Sequence, residues 1–352
     1  MSPARWTNWQ PLALGWSPSP AVLAETLDGG QAFRWWRTDE TGDAAPSPRG
    51  VWTGLWSDHL AQLRLHHSAL QWRAPAAMHA RVARELPRYL GADLDWPALV
   101  DSLPWRSDPH LARCLAAYPG LRLLRQPFGE TLLGFLCSAT KQIPQIKQML
   151  ALLAERHGLP LSDRTSGFLV RHSLGDGGTP RSEQPSGHKA PPTVYVTAGS
   201  QLSSLSTLSS QLSTSVSALP TWPALATIPE SDLRACQLGF RARFIHETAL
   251  FLAAHPGWLD ETEQLPYAAA KARLMELPGV GEKIADCVLL FGAGRLEAFP
   301  VDTWVLKSLA RRYDLVGWKP AQVARFGRAH FGPLAGLAQQ FLFSWERAHG
   351  SR

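Results

Sequence analysis

Hydrophobic and polar residues follow two different patterns along the chain. Between residues 30 and 74, the segments GQAFRWW, VWTGLW, LAQLRLHH and LQWRA are rich in aromatic residues and partly alternating, with Gly42, Pro46 and Pro48 between them. Such segments, bounded by turn residues, predict an antiparallel sheet. From about Pro75 the apolar residues recur every three or four positions, as in FGETLLGFLCSATKQIPQIKQMLALLAERHG, and this spacing predicts helices.

The helical pattern is interrupted between residues 161 and 220. Gly, Ser, Thr and Pro dominate this stretch, which includes SQLSSLSTLSSQLSTSVS at residues 200 to 217. Because such a composition buries too little apolar surface to offset its ordering entropy, we expect a mostly disordered insertion, in which residues 193 to 196 could form a short strand. Helical patterns resume at ESDLRACQ, and the two helical blocks are expected to form one bundle around a cleft.

Composition limits the class of protein. The chain has 352 residues, 45% hydrophobic and 18% charged, which is typical of a soluble protein with two or three compact units. It contains no apolar run of the ~20 residues that a membrane helix needs, and its N-terminus lacks a basic segment followed by an apolar run. We therefore expect no membrane partner and a cytoplasmic location, associated with the nucleoid if the source is bacterial.

Cysteine spacing and charge narrow the chemistry further. The four cysteines stand far apart without a CxxC pair, so neither a zinc site nor a four-cysteine iron–sulfur site has its ligand spacing, and we expect no metal and no cofactor. A formal net charge of +6 and a pI of about 9.3 favour a polyanionic partner, although many basic proteins bind no nucleic acid.

A glycine-rich turn separates two helical patterns in LPGVGEKIADC, residues 277 to 287. Gly279 and Gly281 can adopt positive φ angles and expose their N–H groups at the start of the second helix. Exposed N–H groups and the positive end of a helix dipole bind anions, and a nucleic-acid phosphate is a natural ligand here. A plain corner between two helices is the alternative interpretation of this motif taken alone.

Three side chains near this turn are candidates for chemistry. Lys283 lies in the first turn of the second helix, where the dipole disfavours a cation by roughly 0.3–1 kcal/mol, so it is either a nucleophile or a solvated surface lysine. Cys287 occupies the same helical face one turn later, where a buried cysteine commonly packs as a small hydrophobe. Asp302 stands where a helix N-cap belongs, and capping does not exclude a chemical role.

Several motifs in order resemble a known family. The combination of LPGVGEKIADC with FPVDTW, which carries Asp302, resembles the helix-hairpin-helix Gly/Pro-Asp DNA glycosylase superfamily. GGQAFRWW, LRLLRQPFGETLLGFLCSAT, LGFRARFI and LAQQFLFS resemble, in the same order, segments of the 8-oxoguanine DNA glycosylase/AP lyases. The resemblance covers nearly the whole chain except residues 161 to 220.

The resemblance implies a fold class and a domain organisation. We expect an α+β protein with a mostly α-helical, two-lobed glycosylase core, acting as a monomer on double-stranded DNA that contains 8-oxoguanine. The expected regions are an antiparallel sheet domain at 1–98, helical domains at 99–160 and 221–352 with the helix-hairpin-helix at about 268–291, and the insertion at 161–220.

The resemblance also implies residue roles. Lys283 would attack C1′ of the damaged nucleotide and form a Schiff base that undergoes β-elimination, while Asp302 would stabilise positive charge on the sugar. The flipped base would be bound by Gly30, Cys287, Gln339 and Phe343, and the DNA by Phe240, Arg241, Gly279 and Gly281. Without the family, the two phenylalanines would be interpreted as core aromatics, Gln339 as a polar helix face and Gly30 as a turn glycine.

The chain departs from the family where the partner of the lesion is recognised. Family members commonly carry an asparagine run after FLCS that reads the opposite cytosine, and this chain has ATKQ, which includes Thr140. Gln145 occupies the position at which family members have an arginine that contacts the same cytosine. Trp304 occupies the position of a histidine that follows the catalytic aspartate in the family. We therefore expect weaker discrimination of the opposite base, with the lysine chemistry unaffected.

Other functions compete with this interpretation. A monofunctional alkylated-base glycosylase shares the fold and the aspartate but does not need Lys283, and an endonuclease III type enzyme would need a cysteine cluster that the chain lacks. A non-catalytic helix-hairpin-helix module would bind DNA without needing Asp302, Phe343 and Gln339 together.

Overall fold

The computed structural model describes residues 5–38, 50–161 and 216–349. The chain divides into two compact units, Met1–Leu159 with Ser217–Arg352, and Pro160–Val216. Of the second unit only residues 160, 161 and 216 are described, and the Leu161 N–H donates to the Val216 carbonyl (2.9 Å). The strand expected at residues 193 to 196 and nearly all of the Ser-rich stretch lie outside the described residues.

The end of the expected insertion needs one correction. Residues 217–220 are buried, although the composition of residues 161–220 predicts a disordered insertion. The Ala218 N–H donates to the Leu159 carbonyl (2.9 Å), and the Arg34 guanidinium donates to the Ser217 carbonyl (2.7 Å). These residues belong to the core because Ala218 and Leu219 supply apolar side chains that it buries.

A five-stranded antiparallel sheet forms the N-terminal part of the first unit, as the alternating segments predict. Its strand order is β1-β5-β4-β3-β2, and Trp35 pairs with Gly54, where a Cβ atom would come within 2.4 Å of the indole ring. The strands are β1 (Gln10–Pro11), β2 (Trp35–Thr38), β3 (Val51–Trp56), β4 (His59–His66) and β5 (Ala69–Arg73). Within the GQAFRWW segment only Trp35 and Trp36 belong to a strand. The segment begins at Gly30, which has a φ of 104° and lies at a bend of the chain.

Helices make up most of the remaining described chain. They are α1 (Pro20–Asp28), α2 (His79–Tyr89), α3 (Trp96–Asp101), α4 (Pro109–Ala117), α5 (Phe128–Leu136), α6 (Ile143–His157), α7 (Trp222–Ala226), α8 (Glu230–Leu233), α9 (Arg241–Ala254), α10 (Trp258–Gln264), α11 (Tyr267–Leu274), α12 (Glu282–Phe291), α13 (Thr303–Arg312), α14 (Pro320–Phe331) and α15 (Ala335–His349). The α+β fold class is confirmed. In the described ranges, no helix combines the length and apolarity needed to cross a bilayer.

Two central helices hold the residues of interest. In α5 seven of nine residues are buried, and in α12 eight of ten, so both lie inside the helical core. The Phe135 ring of α5 stacks on the Phe291 ring of α12 with centroids 5.7 Å apart, and it meets the Phe33 ring edge-on at 5.3 Å. Because close-packed interiors resist displacement, the ends of α5 and α12 are held firmly relative to each other.

Candidate active site

The glycine turn joins α11 to α12 through residues 275–281. Gly279 has a φ of 77°, and a Cβ atom there would lie 2.7 Å from the Phe244 ring, so this position requires glycine on both counts. Gly281 is the N-cap of α12 and has open space around its Cα atom. No side chain of the described residues caps α12, which leaves its first N–H groups available to an anion.

Lys283 is the second residue of α12 and is half-buried. Its Nζ donates to Ser138 Oγ at 2.9 Å and lies 5.2 Å from the centroid of the Phe135 ring. Sequence reasoning did not identify Ser138 or Phe135 as neighbours of the amine. Ser138 belongs to the FLCS motif, but nothing in its spacing indicates a contact with a residue 145 positions away.

Asp302 caps α13, and its carboxylate accepts the Val305 N–H at 2.8 Å. Burial raises the pKa of Asp302, while the Val305 N–H and the positive charge of Lys283 act in the opposite direction and favour the carboxylate. The Lys283 amine therefore bonds to Ser138 and acts on Asp302 through its charge. A carboxylate held this way can stabilise positive charge on a sugar.

Cys287 follows Lys283 by one helical turn and is 4% exposed. Burial raises the pKa of its thiol to about 12, which the charge of Lys283 partly opposes and the charges of Asp286 and Asp302 reinforce. The structure therefore places Lys283, Asp302 and Cys287 close enough together for their charges to affect one another's ionisation. A neutral, buried thiol at this position can make van der Waals contact with a ring but is a poor nucleophile.

Gly30 lies beside the Phe343 ring. A Cβ atom at Gly30 would lie 3.6 Å from Phe343 Cε1 and 3.1 Å from Ile143 Cδ1. The next residue, Gln31, is anchored because its amide donates to the Arg122 carbonyl (2.9 Å) and accepts from the Leu124 N–H (2.8 Å). The backbone at Gly30 is thus held in place next to an aromatic ring, and two residues that are far apart in sequence become neighbours.

Gln339 lies one turn before Phe343 on α15, and it is 5% exposed. Its Oε1 atom is buried and accepts no hydrogen bond from any described residue. Buried polar atoms are nearly always paired, so an unpaired amide oxygen is a candidate for binding a ligand. The adjacent Gln340 is similarly buried, but its amide donates to Ser344 Oγ at 3.4 Å.

Phe240 and Arg241 have opposite exposures. Phe240 is 51% exposed, as a residue that inserts into DNA would be, whereas Arg241 is 2% exposed. The Arg241 guanidinium stacks on the Phe240 ring at 4.3 Å and donates to the Ala139 carbonyl and to Thr140 Oγ1 (2.9 Å). The two terminal nitrogens of Arg241 thus donate within the protein, Nε has no partner among the described residues, and the expected contact of Arg241 with DNA stays a prediction.

Of the three residues expected near the opposite base, two are exposed and one is half-buried. Thr140 is exposed and has a φ of 55°, an uncommon conformation for a residue with a side chain. Gln145 is exposed, and its side chain caps α6 by accepting the Gln142 N–H at 3.1 Å. Trp304 is half-buried in the first turn of α13.

Comparisons with known proteins agree with these features. Residues 13–132 match the N-terminal domain of 8-oxoguanine DNA glycosylase. A protein of Methanothermobacter thermautotrophicus named "Probable N-glycosylase/DNA lyase" is 36% identical over 120 residues, which are 34% of this chain and 38% of that protein. The Arabidopsis thaliana "N-glycosylase/DNA lyase OGG1" is 27% identical over 351 residues, which are 96% of this chain and 80% of that protein.

The fold is shared with a solved enzyme. The 8-oxoguanine glycosylase/lyase of Clostridium acetobutylicum, solved in complex with double-stranded DNA containing cytosine opposite 8-oxoG, superposes with a TM-score of 0.72 at 22% identity. The likeness covers 98% of this chain and 99% of that one. The matched N-terminal domain, the similarity to the Arabidopsis enzyme over nearly the whole chain and the shared fold agree with one another, and the chain is similar to 8-oxoguanine DNA glycosylase/AP lyases.

Proposed function

We propose that this DNA N-glycosylase/AP lyase excises 8-oxoguanine from duplex DNA with Lys283 as its nucleophile and Asp302 as the stabilising carboxylate. The observation that carries the proposal is the position of the Lys283 amine. It is half-buried at the start of an uncapped helix, bonded to Ser138 and within electrostatic reach of Asp302. A solvated surface lysine would not have a defined partner of this kind.

The proposed reaction begins when the neutral Lys283 amine attacks C1′ of the damaged nucleotide. The N–C1′ bond forms as the bond to the base breaks, and the base departs with that electron pair and takes a proton. The nitrogen then loses one proton, and the C1′–O4′ bond breaks as O4′ takes a proton, which gives a protonated Schiff base. Removal of a C2′ proton then expels the 3′ phosphate, with the iminium as the electron sink. Asp302 stabilises the positive charge that develops on the sugar while the base leaves.

The flipped base would be recognised beside Gly30, Phe343 and Gln339. The N7 atom of 8-oxoguanine carries a hydrogen that guanine lacks, so a carbonyl at Gly30 would accept from the lesion and repel the normal base. The Phe343 ring would stack on the base, with Cys287 on its other face, and the Gln339 amide would bond its Watson–Crick edge. The unpaired, buried Oε1 of Gln339 supports this assignment.

Contacts with the duplex would come from the hairpin and from the exposed Phe240. The free N–H groups at Gly281 and the start of α12 are suited to a phosphate. Phe240 would insert beside the flipped nucleotide, since the residue is already 51% exposed. Thr140, Gln145 and Trp304 would lie near the opposite strand, where exposed side chains without the family's asparagines and arginine offer fewer base contacts.

Borohydride trapping tests the proposal, since only a Schiff base is reduced to a stable protein–DNA adduct. We expect an adduct with 8-oxoguanine duplex and none with Lys283→Gln. Lys307→Gln is the matched control, because Lys307 is an exposed lysine on the neighbouring helix α13 and should leave trapping unchanged. Base release without an adduct would instead indicate a monofunctional glycosylase, and binding without either would indicate a non-catalytic module.

A further inference from the structure

Ser138 follows α5 by two residues and joins the end of that helix to the Lys283 amine. The residue is 9% exposed, and its hydroxyl donates to the Phe135 carbonyl at 2.7 Å. A serine hydroxyl has one hydrogen to donate, so toward Lys283 its oxygen can only accept. The amine must therefore supply the hydrogen in the 2.9 Å contact between Lys283 Nζ and Ser138 Oγ.

This bond restricts the direction of the amine. A neutral amine carries two hydrogens and one lone pair, and when one hydrogen is held by Ser138 the lone pair must point away from Ser138. The Phe135 ring, 5.2 Å from Nζ, limits the side chain on another side. A lysine side chain has four rotatable bonds, and fixing its end before the reaction removes an entropic cost from the attacking step.

The turn that carries Ser138 is itself anchored. The next two residues, Ala139 and Thr140, accept hydrogen bonds from the buried Arg241 guanidinium, which also donates to the Leu238 carbonyl at 3.2 Å. Thr140 has a φ of 55°, a conformation that needs support from its surroundings. The position of the Ser138 hydroxyl is thus determined by contacts on both sides of it.

We propose that Ser138 is a positioning residue for the reaction, which directs the Lys283 amine toward C1′ by accepting one of its hydrogens. This inference rests on the proposed function, because it assumes that Lys283 is the nucleophile. The competing explanation is that Ser138 only satisfies a carbonyl at the end of α5. Thr131 provides the matched comparison, since its hydroxyl donates to the Pro127 carbonyl at 2.8 Å in the same helix, and it is 3% exposed.

The experiment compares Ser138→Ala with Thr131→Val on a duplex that contains a preformed abasic site, which bypasses base recognition. The measured quantities are the single-turnover rate of borohydride trapping, the Kd for the duplex and the melting temperature. For Ser138→Ala we expect trapping about tenfold slower or more, with the Kd changed by less than about twofold. Thr131→Val should trap at a rate within about twofold of the unmodified protein.

The outcomes separate this inference from the proposed function. If the unmodified protein forms no adduct, or if Lys283→Gln still forms one, the proposed function itself is wrong. If the adduct depends on Lys283 but Ser138→Ala traps less than about tenfold more slowly, or loses rate only in proportion to DNA binding, Ser138 does not position the amine. An equal slowing in Thr131→Val would also overturn the inference, because the effect would then belong to α5 as a whole.

Discussion

Replacing Gln339 with methionine should stabilise the protein and impair excision at the same time. The Oε1 atom of Gln339 is buried without a hydrogen-bond donor among the described residues. A buried, unpaired acceptor costs about 1–3 kcal/mol of folding free energy, and methionine has a similar length but no polar oxygen. We therefore expect the free energy of unfolding to rise by about that amount.

The melting temperature and the excision rate should move in opposite directions. Each kcal/mol corresponds to about 2–4 °C in a domain of about 150–250 residues, so melting without DNA should occur a few degrees higher. A specific side-chain contact with a base is worth about 1–3 kcal/mol. Its loss should lower kcat/KM on 8-oxoguanine duplex by roughly 5- to 160-fold, which a single-turnover excision assay measures.

Gln340→Met is the control for both measurements. Gln340 precedes Ser344 by one turn of the same helix, is also buried, and donates to Ser344 Oγ. Its replacement removes a bond that the protein makes, so the melting temperature should not rise and excision should be unchanged. A lower melting temperature in Gln339→Met, or a higher one with excision within about twofold of normal, would refute the assignment of Gln339 to base recognition.

Three further predictions concern Gly30, Asp302 and the opposite base. Gly30→Ala places a Cβ atom on a residue with a φ of 104°, at 3.1 Å from Ile143 Cδ1, so it should lower the melting temperature and slow the excision of 8-oxoguanine. Trapping on a preformed abasic site should be retained, because that substrate has no base to recognise. Equal losses on both substrates would contradict this prediction. Burial raises the pKa of Asp302, and the reaction needs the ionised carboxylate. As the pH falls, the single-turnover rate should therefore begin to decrease at a pH higher than the ordinary aspartate pKa of about 3.9. An acid limb at or below that value, or one that persists in Asp302→Asn, would assign the limb to another group. Excision rates with each of the four bases opposite 8-oxoguanine should agree within about tenfold, and a larger preference for cytosine would show that its recognition survives without the asparagine run.

Local signals in the sequence determined the elements and the position of the central motif. Aromatic segments between turn residues predicted the antiparallel sheet, and the glycines of LPGVG predicted the turn before α12. The N-cap position of Asp302 could also be predicted, since a cap bonds to an N–H only three residues away. These features depend on neighbours in sequence, so a single stretch of residues contains the information.

Tertiary structure decided which side chains meet and which are buried. The Ser138–Lys283 bond joins residues 145 positions apart, and Gly30 reaches Phe343 across most of the chain. Arg241 matches a DNA-contacting position in sequence, yet its guanidinium is enclosed by the turn at Ala139 and Thr140. Residue type reveals what a group can donate or accept, but its partners and its exposure to water depend on how distant segments pack, and these determine its chemistry.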